Sequence, residues 1–249
     1  MRRDAGAAPA TVDRELATLS HLLNRAVEWK WLDGLPVRPK KFNEDQGRIV
    51  ALDDDQCDQL IAAARASADP DLWLFVEFGL STAMRHREIL GARWDRIDFA
   101  RCRLFLPDAK AGQREQPLTK SLAETLTRER EMREDQNGWI FPARRAGKSE
   151  TYDRMTKPFK AAVLAAGLDP AVVTPHVLRH TAITRLVEAG VDLATIQRIS
   201  GHKTLAMVLR YTHVHGKHID KAIAALERPA NRVAPKLHYP RPGKLGVAS

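Results

Sequence analysis

The chain has 249 residues, of which 44% are hydrophobic, so it can bury the core of one large domain. Forty lysines and arginines against 31 acidic residues give a net charge of +9, which is typical of proteins that bind a polyanion but also of a solvated basic surface. With two cysteines, no secretory signal and no apolar run that could span a bilayer, it is expected to be a cytoplasmic protein without disulfides.

The first predicted element is a helix over residues 11–31, in which leucines at helical spacing form an apolar stripe. Thr11 is the expected N-cap of this helix. A linker is predicted over residues 34–48, because Pro36, Pro39 and many charged residues interrupt the helical pattern there.

The larger region, residues 49–227, opens with two predicted helices. Asp53 begins the first helix, and Gln56 lies three residues later, as a capping box requires. The second helix follows Asp69 and contains LWLFVEFGL, which is apolar on nearly every side and is therefore expected in the centre of the core. Turn-like residues then predict a hairpin with Lys110 at its tip. The β-like runs are at residues 94–99, 103–107 and 115–118.

The remainder of this region is predicted to be helical. The helical patterns begin at residue 121 and continue at residues 152–166, 175–189, 192–199, 204–213 and 216–227. The tail, residues 228–249, contains four prolines and five basic residues without an acidic residue, so we expect it to be disordered. The whole pattern predicts a mainly α fold with a small antiparallel β-sheet, an α+β class.

Three groups of polar residues require an explanation. The first contains Arg85, which comes directly after the most apolar helix, where a guanidinium loses solvation unless an anion pairs with it. Glu88 is a candidate partner, so a purely structural ion pair is one alternative. The second group is His176 with Arg179, at the start of a helix that begins at Pro175. The N-terminus of a helix already favours an anion there.

The third group follows Gly201, which ends a predicted helix. His202 comes next, and Tyr211 lies nine residues further on. A tyrosine at the edge of an apolar stripe is often a half-buried packing residue, which is the alternative for Tyr211. Taken together, the two arginines, two histidines and tyrosine of the three groups fit phosphoryl transfer on a phosphodiester, with the tyrosine as nucleophile and no metal required.

These groups resemble the signature of the tyrosine recombinase (phage integrase) family. The matching residues, in order, are Arg85, His176, Arg179, Gly201, His202 and Tyr211. The resemblance covers residues 50–227. By the same resemblance, Lys110 matches the lysine that the family carries between its second and third strands, which implies that Lys110 protonates the leaving 5′ oxygen.

The resemblance also implies a role for the other site residues. Tyr211 would attack a DNA phosphate and form a 3′-phosphotyrosine bond, and Arg85 and Arg179 would clamp the non-bridging oxygens. His176 would assist the proton transfer from the tyrosine, and His202 would add a hydrogen bond to the phosphate. The family chemistry implies no cofactor and no metal.

The resemblance further implies an organisation and a set of partners. Residues 1–33 resemble only the last part of the helical core-binding domain that family members carry, so we expect a truncated front. Residues 49–227 form the expected catalytic domain. The implied partners are double-stranded DNA, further copies that form a tetramer on synapsed DNA, and accessory DNA-bending proteins, at the nucleoid and not at a membrane.

Two residues depart from the family pattern. Ala83 stands where the family often has glycine, and the exchange of one small residue for another is expected to have little effect. Ser200 stands where an apolar residue is common, and it is expected to touch no catalytic group.

Other functions compete with the recombinase hypothesis. One is a remnant that binds DNA without productive strand exchange, and another is a relaxing topoisomerase with the same chemistry. Metal-dependent hydrolysis is a third, because His176 and His180 lie four residues apart on one helix. Against it, HVLRH lacks the glutamate of a His-Glu-x-x-His motif, and Arg179 would repel a cation.

Overall fold

The structure is a computed structural model that describes residues 6–40, 49–107, 112–136, 138–143 and 155–212. The chain divides into two compact units, Met1–Ile49 and Val50–Ser249. In the described ranges, no helix has both the length and the apolar composition needed to cross a membrane.

The first unit contains one described helix, α1 (Pro9–Glu28). Its N-cap is Ala8, so the prediction of Thr11 as the cap is wrong. The helix begins earlier because a proline suits the first helical position, where its missing N–H needs no partner. It ends at Glu28, three residues before the predicted end, with Trp29 as its C-cap. The predicted apolar stripe leaves Leu22 exposed.

The second unit contains the remaining described helices and all the described strands. The helices are α2 (Asp54–Arg65), α3 (Leu72–Thr82), α4 (His86–Leu90), α5 (Lys120–Glu131), α6 (Thr156–Ala165), α7 (Pro175–Glu188), α8 (Leu193–Ser200) and α9 (Ala206–Leu209). The strands are β1 (Ile97–Asp98), β2 (Arg103–Leu106) and β3 (Arg114–Pro117). The predicted mainly α class with a small antiparallel sheet is confirmed.

Helix α3 lies at the centre of the core, as its sequence predicts. It packs against α2, α4, α5 and α7. The approach to α7 is very close, because a Cβ added at Gly79 would lie 2.8 Å from Cβ of Leu178. Since Arg85 follows α3 and Arg179 lies on α7, this packing brings two sequence-distant arginines to the same part of the molecule.

The three strands form one antiparallel sheet in the order β1-β2-β3. Leu104 is paired with Gln116, whose buried amide donates to the carbonyl oxygen of Thr82 at 3.0 Å and so joins the sheet to the end of α3. The predicted strand over 94–99 is only partly correct, because residues 94–96 form a 3-10 turn around the buried Trp94.

The helix boundaries partly follow the predictions. The capping box of α2 is confirmed: Asp53 accepts from the backbone N–H of Gln56 at 2.8 Å, and the side chain of Gln56 accepts in return. The last described helix, α9, is shorter than the predicted 204–213. The predicted helix at 216–227 and the tail at 228–249 lie outside the described residues.

Candidate active site

Arg179 is the most buried of the described candidate residues, at 2% exposure. Its Nη1 donates to two backbone carbonyls, Ala83 O and Ser200 O, each at 2.7 Å. Its Nη2 has no hydrogen-bond partner within the described ranges. A buried guanidinium N–H without an acceptor is costly, so Arg179 offers a donor to a ligand.

Ala83 has a φ of +54°, in the left-handed region, so the exchange of glycine for alanine places strain at one of these acceptors.

Arg85 is held by a hydrogen-bond network around Glu88. Its Nη2 donates to Gly201 O at 2.7 Å, and its Nη1 donates to Glu88 Oε1 at 2.9 Å. Glu88 Oε2 accepts from the backbone N–H of Arg85 at 2.9 Å and from Nη2 of Arg114 at 3.0 Å. The structural alternative, an Arg85–Glu88 pair, is therefore present. The guanidinium of Arg85 also contacts the end of α8, where Gly201 O lies next to the carbonyl of Ser200 that Arg179 contacts.

The three arginines give the cluster an excess of positive charge. Among the described residues, Glu88 is the one acidic side chain that forms an ion pair with any of them. Burial, followed by the charge of Arg85, lowers the pKa of Arg179 to about 10, so Arg179 stays protonated at neutral pH. Burial also lowers the pKa of Arg114. Three guanidiniums around one carboxylate favour the binding of an anion.

His202 lies just after α8 and is hydrogen-bonded to Ser200. Its Nδ1 is 2.8 Å from Ser200 Oγ, and that hydroxyl donates to Ile196 O at 2.7 Å. Because a hydroxyl has one proton, Nδ1 of His202 is the donor and Nε2 of the neutral ring is an acceptor. Burial, followed by the charge of Arg179, lowers the pKa of His202 to about 4. The expectation that Ser200 touches no catalytic group is therefore wrong.

Tyr211 lies just after α9 and is buried, at 3% exposure. Its hydroxyl oxygen is 2.6 Å from Nδ1 of His180, and its ring centroid is 6.2 Å from that of His202. The rings of His176 and His180 pack edge to face, with centroids 4.7 Å apart. Burial raises the pKa of Tyr211 above its ordinary value and lowers the pKa of His176. The phenol is therefore protonated and lies among neutral imidazoles at pH 7.

The described site brings together five of the six candidate residues: Arg85, His176, Arg179, His202 and Tyr211. Lys110 lies outside the described residues. The recombinase hypothesis gave no site role to Glu88, Arg114 or His180. Glu88 was considered only as a structural partner of Arg85, and His180 only as a metal ligand in the competing hypothesis. Spacing offered a signal for two of them, because Glu88 lies one helical turn after Arg85 and His180 lies next to an arginine of the motif. Arg114 reaches the site through the fold of the sheet, for which the sequence gives no signal.

The cluster combines anion-binding donors with one oxygen nucleophile. Guanidinium groups hold the oxygens of a phosphate, and a tyrosine hydroxyl next to them can attack its phosphorus. In the described part of the chain, no three His, Cys, Asp or Glu side chains are arranged so that they could hold a metal ion. The guanidiniums and the tyrosine hydroxyl together suit covalent phosphoryl transfer with electrostatic stabilisation.

Comparisons of the sequence give consistent relatives. A model of the phage integrase family matches residues 51–218. The chain is 32% identical over 233 residues to a shufflon-specific DNA recombinase of Escherichia coli, covering 90% of this chain and 56% of that protein. It is 29% identical over 221 residues to an integrase of Escherichia phage 186, covering 86% of this chain and 60% of the phage protein. The chain thus spans less than two thirds of either relative.

Comparisons of the fold agree with this result. The structure of the Tn1549 transposon integrase in complex with transposon right end DNA superimposes with a TM-score of 0.73 at 19% identity, covering 90% of this chain and 81% of the integrase. A crystal structure of XerA recombinase gives a TM-score of 0.58 at 24% identity, covering 85% of this chain and 77% of the recombinase. At these identities the likeness establishes a shared fold.

Proposed function

Because the chain belongs to the phage integrase family, we propose that it is a site-specific DNA recombinase or integrase that cuts and rejoins DNA through a 3′-phosphotyrosine at Tyr211. One observation carries the proposal: a buried tyrosine lies in a cluster with three arginines, of which two pair with the single carboxylate of Glu88 and the third, Arg179, donates to backbone carbonyls. The names of the relatives, a DNA recombinase and an integrase, support the same reaction class.

Arg85 and Arg179 would clamp the non-bridging oxygens of the scissile phosphate. The free Nη2 of Arg179 supports this role, because it is buried, charged and without an acceptor among the described residues. The planar guanidinium matches the geometry of phosphate oxygens. A donor of this kind typically contributes about 2.7–4 kcal/mol of transition-state stabilisation.

His202 would add a hydrogen bond to the phosphate after it takes up a proton. In the free protein its Nε2 is an acceptor, because Nδ1 donates to Ser200. A bound phosphate would offset the charges of Arg85 and Arg179, which are among the causes of the lowered pKa of His202. Its pKa would then rise, and the protonated ring would donate from Nε2 to the phosphate.

The remaining roles concern protons. As Tyr211 attacks the phosphorus, His176 would assist the removal of the phenolic proton, and its contact with His180, the neighbour of the hydroxyl, supports this role. Lys110 would protonate the leaving 5′ oxygen, a role that rests on the family resemblance. The phosphotyrosine bond retains the energy of the broken phosphodiester, so the reverse attack rejoins DNA without a cofactor.

The organisation and partners belong to the same proposal. Residues 49–227 would be the catalytic domain, residues 1–33 the end of a helical core-binding domain, residues 34–48 a linker, and residues 228–249 a basic tail. Double-stranded DNA as the partner is supported by the net charge of +9 and by the DNA complex of the Tn1549 integrase. We propose further that four copies act on synapsed DNA at the nucleoid, with accessory DNA-bending proteins.

The test is a covalent trap. Nicked duplexes from the DNA that flanks the gene are incubated with the protein, which is then denatured, and a protein–DNA adduct is sought. We expect an adduct from the wild type and none from Tyr211→Phe. Tyr239→Phe is the matched control and should form the adduct at the wild-type rate. A strong chelator should have no effect, which separates this chemistry from metal-dependent hydrolysis.

Each alternative predicts a different result. Salt-sensitive DNA binding without an adduct on any flanking duplex would favour a module that binds DNA without strand exchange. An adduct that persists in Tyr211→Phe would reject this tyrosine as the nucleophile. Relaxation of supercoiled plasmids that lack the flanking DNA would favour a topoisomerase.

A further inference from the structure

One histidine of α7 contacts the reacting atom, although the sequence motif gives it no role. Nδ1 of His180 lies 2.6 Å from the hydroxyl oxygen of Tyr211, which is a hydrogen-bonding distance. The two residues are separated by 31 positions, so the contact depends on the packing of α9 against α8 and of α8 against α7. His176, on the same helix, contacts the ring of His180.

The direction of this hydrogen bond follows from the surroundings. A phenol has a pKa of about 10, so Tyr211 carries its proton at pH 7. If the hydroxyl accepted from Nδ1–H, its own proton would be buried without an acceptor in the described part of the chain. Burial, followed by the charges of His176, Arg179 and Arg210, lowers the pKa of His180 to about 4. The ring is therefore neutral, and Tyr211 donates to a bare Nδ1.

We propose that His180 is the catalytic base that removes the phenolic proton of Tyr211 during DNA cleavage. The inference deepens the proposed function and rests on it. The O–H bond of Tyr211 breaks and an N–H bond forms at Nδ1, while the phenolic oxygen bonds to phosphorus and the bond to the 5′ oxygen breaks. The leaving oxygen takes its proton from a separate acid, Lys110 in the proposed function. In the rejoining step Nδ1–H of His180 returns the proton to the phenol.

The strength of this base depends on the occupation of the phosphate site. In the free protein the charges of Arg179 and Arg210 weaken it, and His176, His202 and Tyr211 are the other titratable groups nearby. A phosphate bound to Arg179 supplies a negative charge and offsets that repulsion. The basicity of His180 therefore rises when DNA binds, which keeps the phenol protonated until a phosphate is in place.

A measurement without DNA tests the contact. In the protein labelled with ¹⁵N at histidine, we expect the Nδ1 resonance of His180 to be that of an unprotonated acceptor at pH 7. Tyr211→Phe should shift this resonance and leave the Nε2 resonance of His176 nearly unchanged. Inorganic phosphate should raise the pKa of His180. A protonated Nδ1, or a resonance that does not respond to Tyr211→Phe, would overturn the proposal whatever the protein does to DNA.

A second measurement tests the proton transfer itself. His180→Leu removes the acceptor, and we expect adduct formation to slow by about 10²- to 10⁴-fold, as for the loss of a general base. His180→Asn keeps an acceptor oxygen near the Nδ1 position but cannot hold the proton, so it should be comparably slow. An asparagine variant with the wild-type rate would reduce His180 to a positioning residue and overturn its role as base.

Rescue by a more acidic phenol completes the design. In a Tyr152→Phe, Tyr239→Phe background, 3-fluorotyrosine is incorporated at position 211 alone. It should restore most of the rate lost in His180→Leu and little of that lost in Arg179→Ala. Rescue of His176→Leu instead would identify His176 as the base. If wild type forms no adduct, the proposed function fails and the base role with it. If wild type forms the adduct and His180→Leu forms it at the wild-type rate, the base role of His180 fails while the proposed function stands.

Discussion

Gly201 lies where the arginine cluster of the candidate site meets the end of α8, and its replacement by alanine tests how tightly that cluster is packed. Gly201 has a φ of +65°, and an added Cβ would overlap Nη1 of Arg114 and lie 2.6 Å from its Cζ. The left-handed backbone conformation alone costs alanine about 1–2 kcal/mol. The overlap adds a second cost, because the guanidinium of Arg114 must move away.

The second cost follows from the contacts that Arg114 would lose. Its Nη2 donates to Glu88 Oε2 at 3.0 Å and to Gln116 Oε1 at 2.9 Å. A hydrogen bond that involves a charged group contributes about 1.5–3 kcal/mol. A guanidinium at the end of a flexible side chain can shift without unfolding the domain. If one of the two bonds is lost, Gly201→Ala should lower the free energy of unfolding by about 2.5–5 kcal/mol, strain included.

Urea denaturation measures this effect, and the chain offers a matched control. Gly190 has a φ of +75°, and a Cβ added there would meet no atom within 4 Å. Gly190→Ala should therefore cost only the backbone strain of about 1–2 kcal/mol. In an Arg114→Ala background, the loss of unfolding free energy caused by Gly201→Ala should fall to the same value of about 1–2 kcal/mol, which is the backbone strain alone. Equal losses for the two glycine variants in the wild-type background would refute the reasoning.

Three further predictions concern the same site. Arg179→Lys replaces the planar guanidinium, which holds Ala83 O and Ser200 O through Nη1 and leaves Nη2 for a phosphate, with a single nitrogen. Single-turnover adduct formation should therefore slow by about 10²- to 10³-fold, and a wild-type rate would contradict the clamp. The pKa values of His180 and His202, about 4, lie below that of an unfolded histidine. The unfolded chain therefore binds more protons between about pH 4 and 6.5, and the free energy of unfolding should fall as the pH drops through this window; urea curves that do not change with pH would contradict it. Ser200→Ala removes the acceptor of Nδ1–H, so neutral His202 can carry its proton on Nε2 and donate it to the phosphate. Wild-type His202 must first be protonated to do so, and the adduct rate of Ser200→Ala should therefore decline less at alkaline pH than that of wild type.

The sequence was sufficient for features that depend on local chemistry. The capping box of Asp53 and Gln56 involves residues three positions apart, and the apolar run of α3 predicts its own burial. The resemblance to a family supplied the identity of the residues that we propose as the phosphate clamp. Boundaries were less accurate where tertiary packing decides them, as at the 3-10 turn that buries Trp94 inside a predicted strand.

The acceptors of the site could not be predicted, because they are backbone carbonyls far away in the chain. Arg179 reaches a carbonyl 96 residues away, and Arg85 reaches one 116 residues away. Every residue has a backbone carbonyl, so the residue type does not indicate which carbonyl will accept a hydrogen bond from an arginine. The pairing of His180 with Tyr211 likewise depends on how α8 and α9 fold back onto α7, which no local pattern specifies.

These carbonyls explain how buried arginines stay charged, as the proposed phosphate site requires. Ala83 O lies at the end of α3, and Ser200 O and Gly201 O lie at the end of α8, where carbonyls lack partners within the helix and carry partial negative charge. They replace the water that Arg85 and Arg179 lose on burial. A carboxylate in each of these positions would also satisfy the guanidiniums, but it would cancel their charge and repel a phosphate. Carbonyls hold the side chains in place without neutralising them, and the single carboxylate of Glu88 leaves two of the three positive charges of the cluster uncompensated, which is what the proposed phosphate site needs.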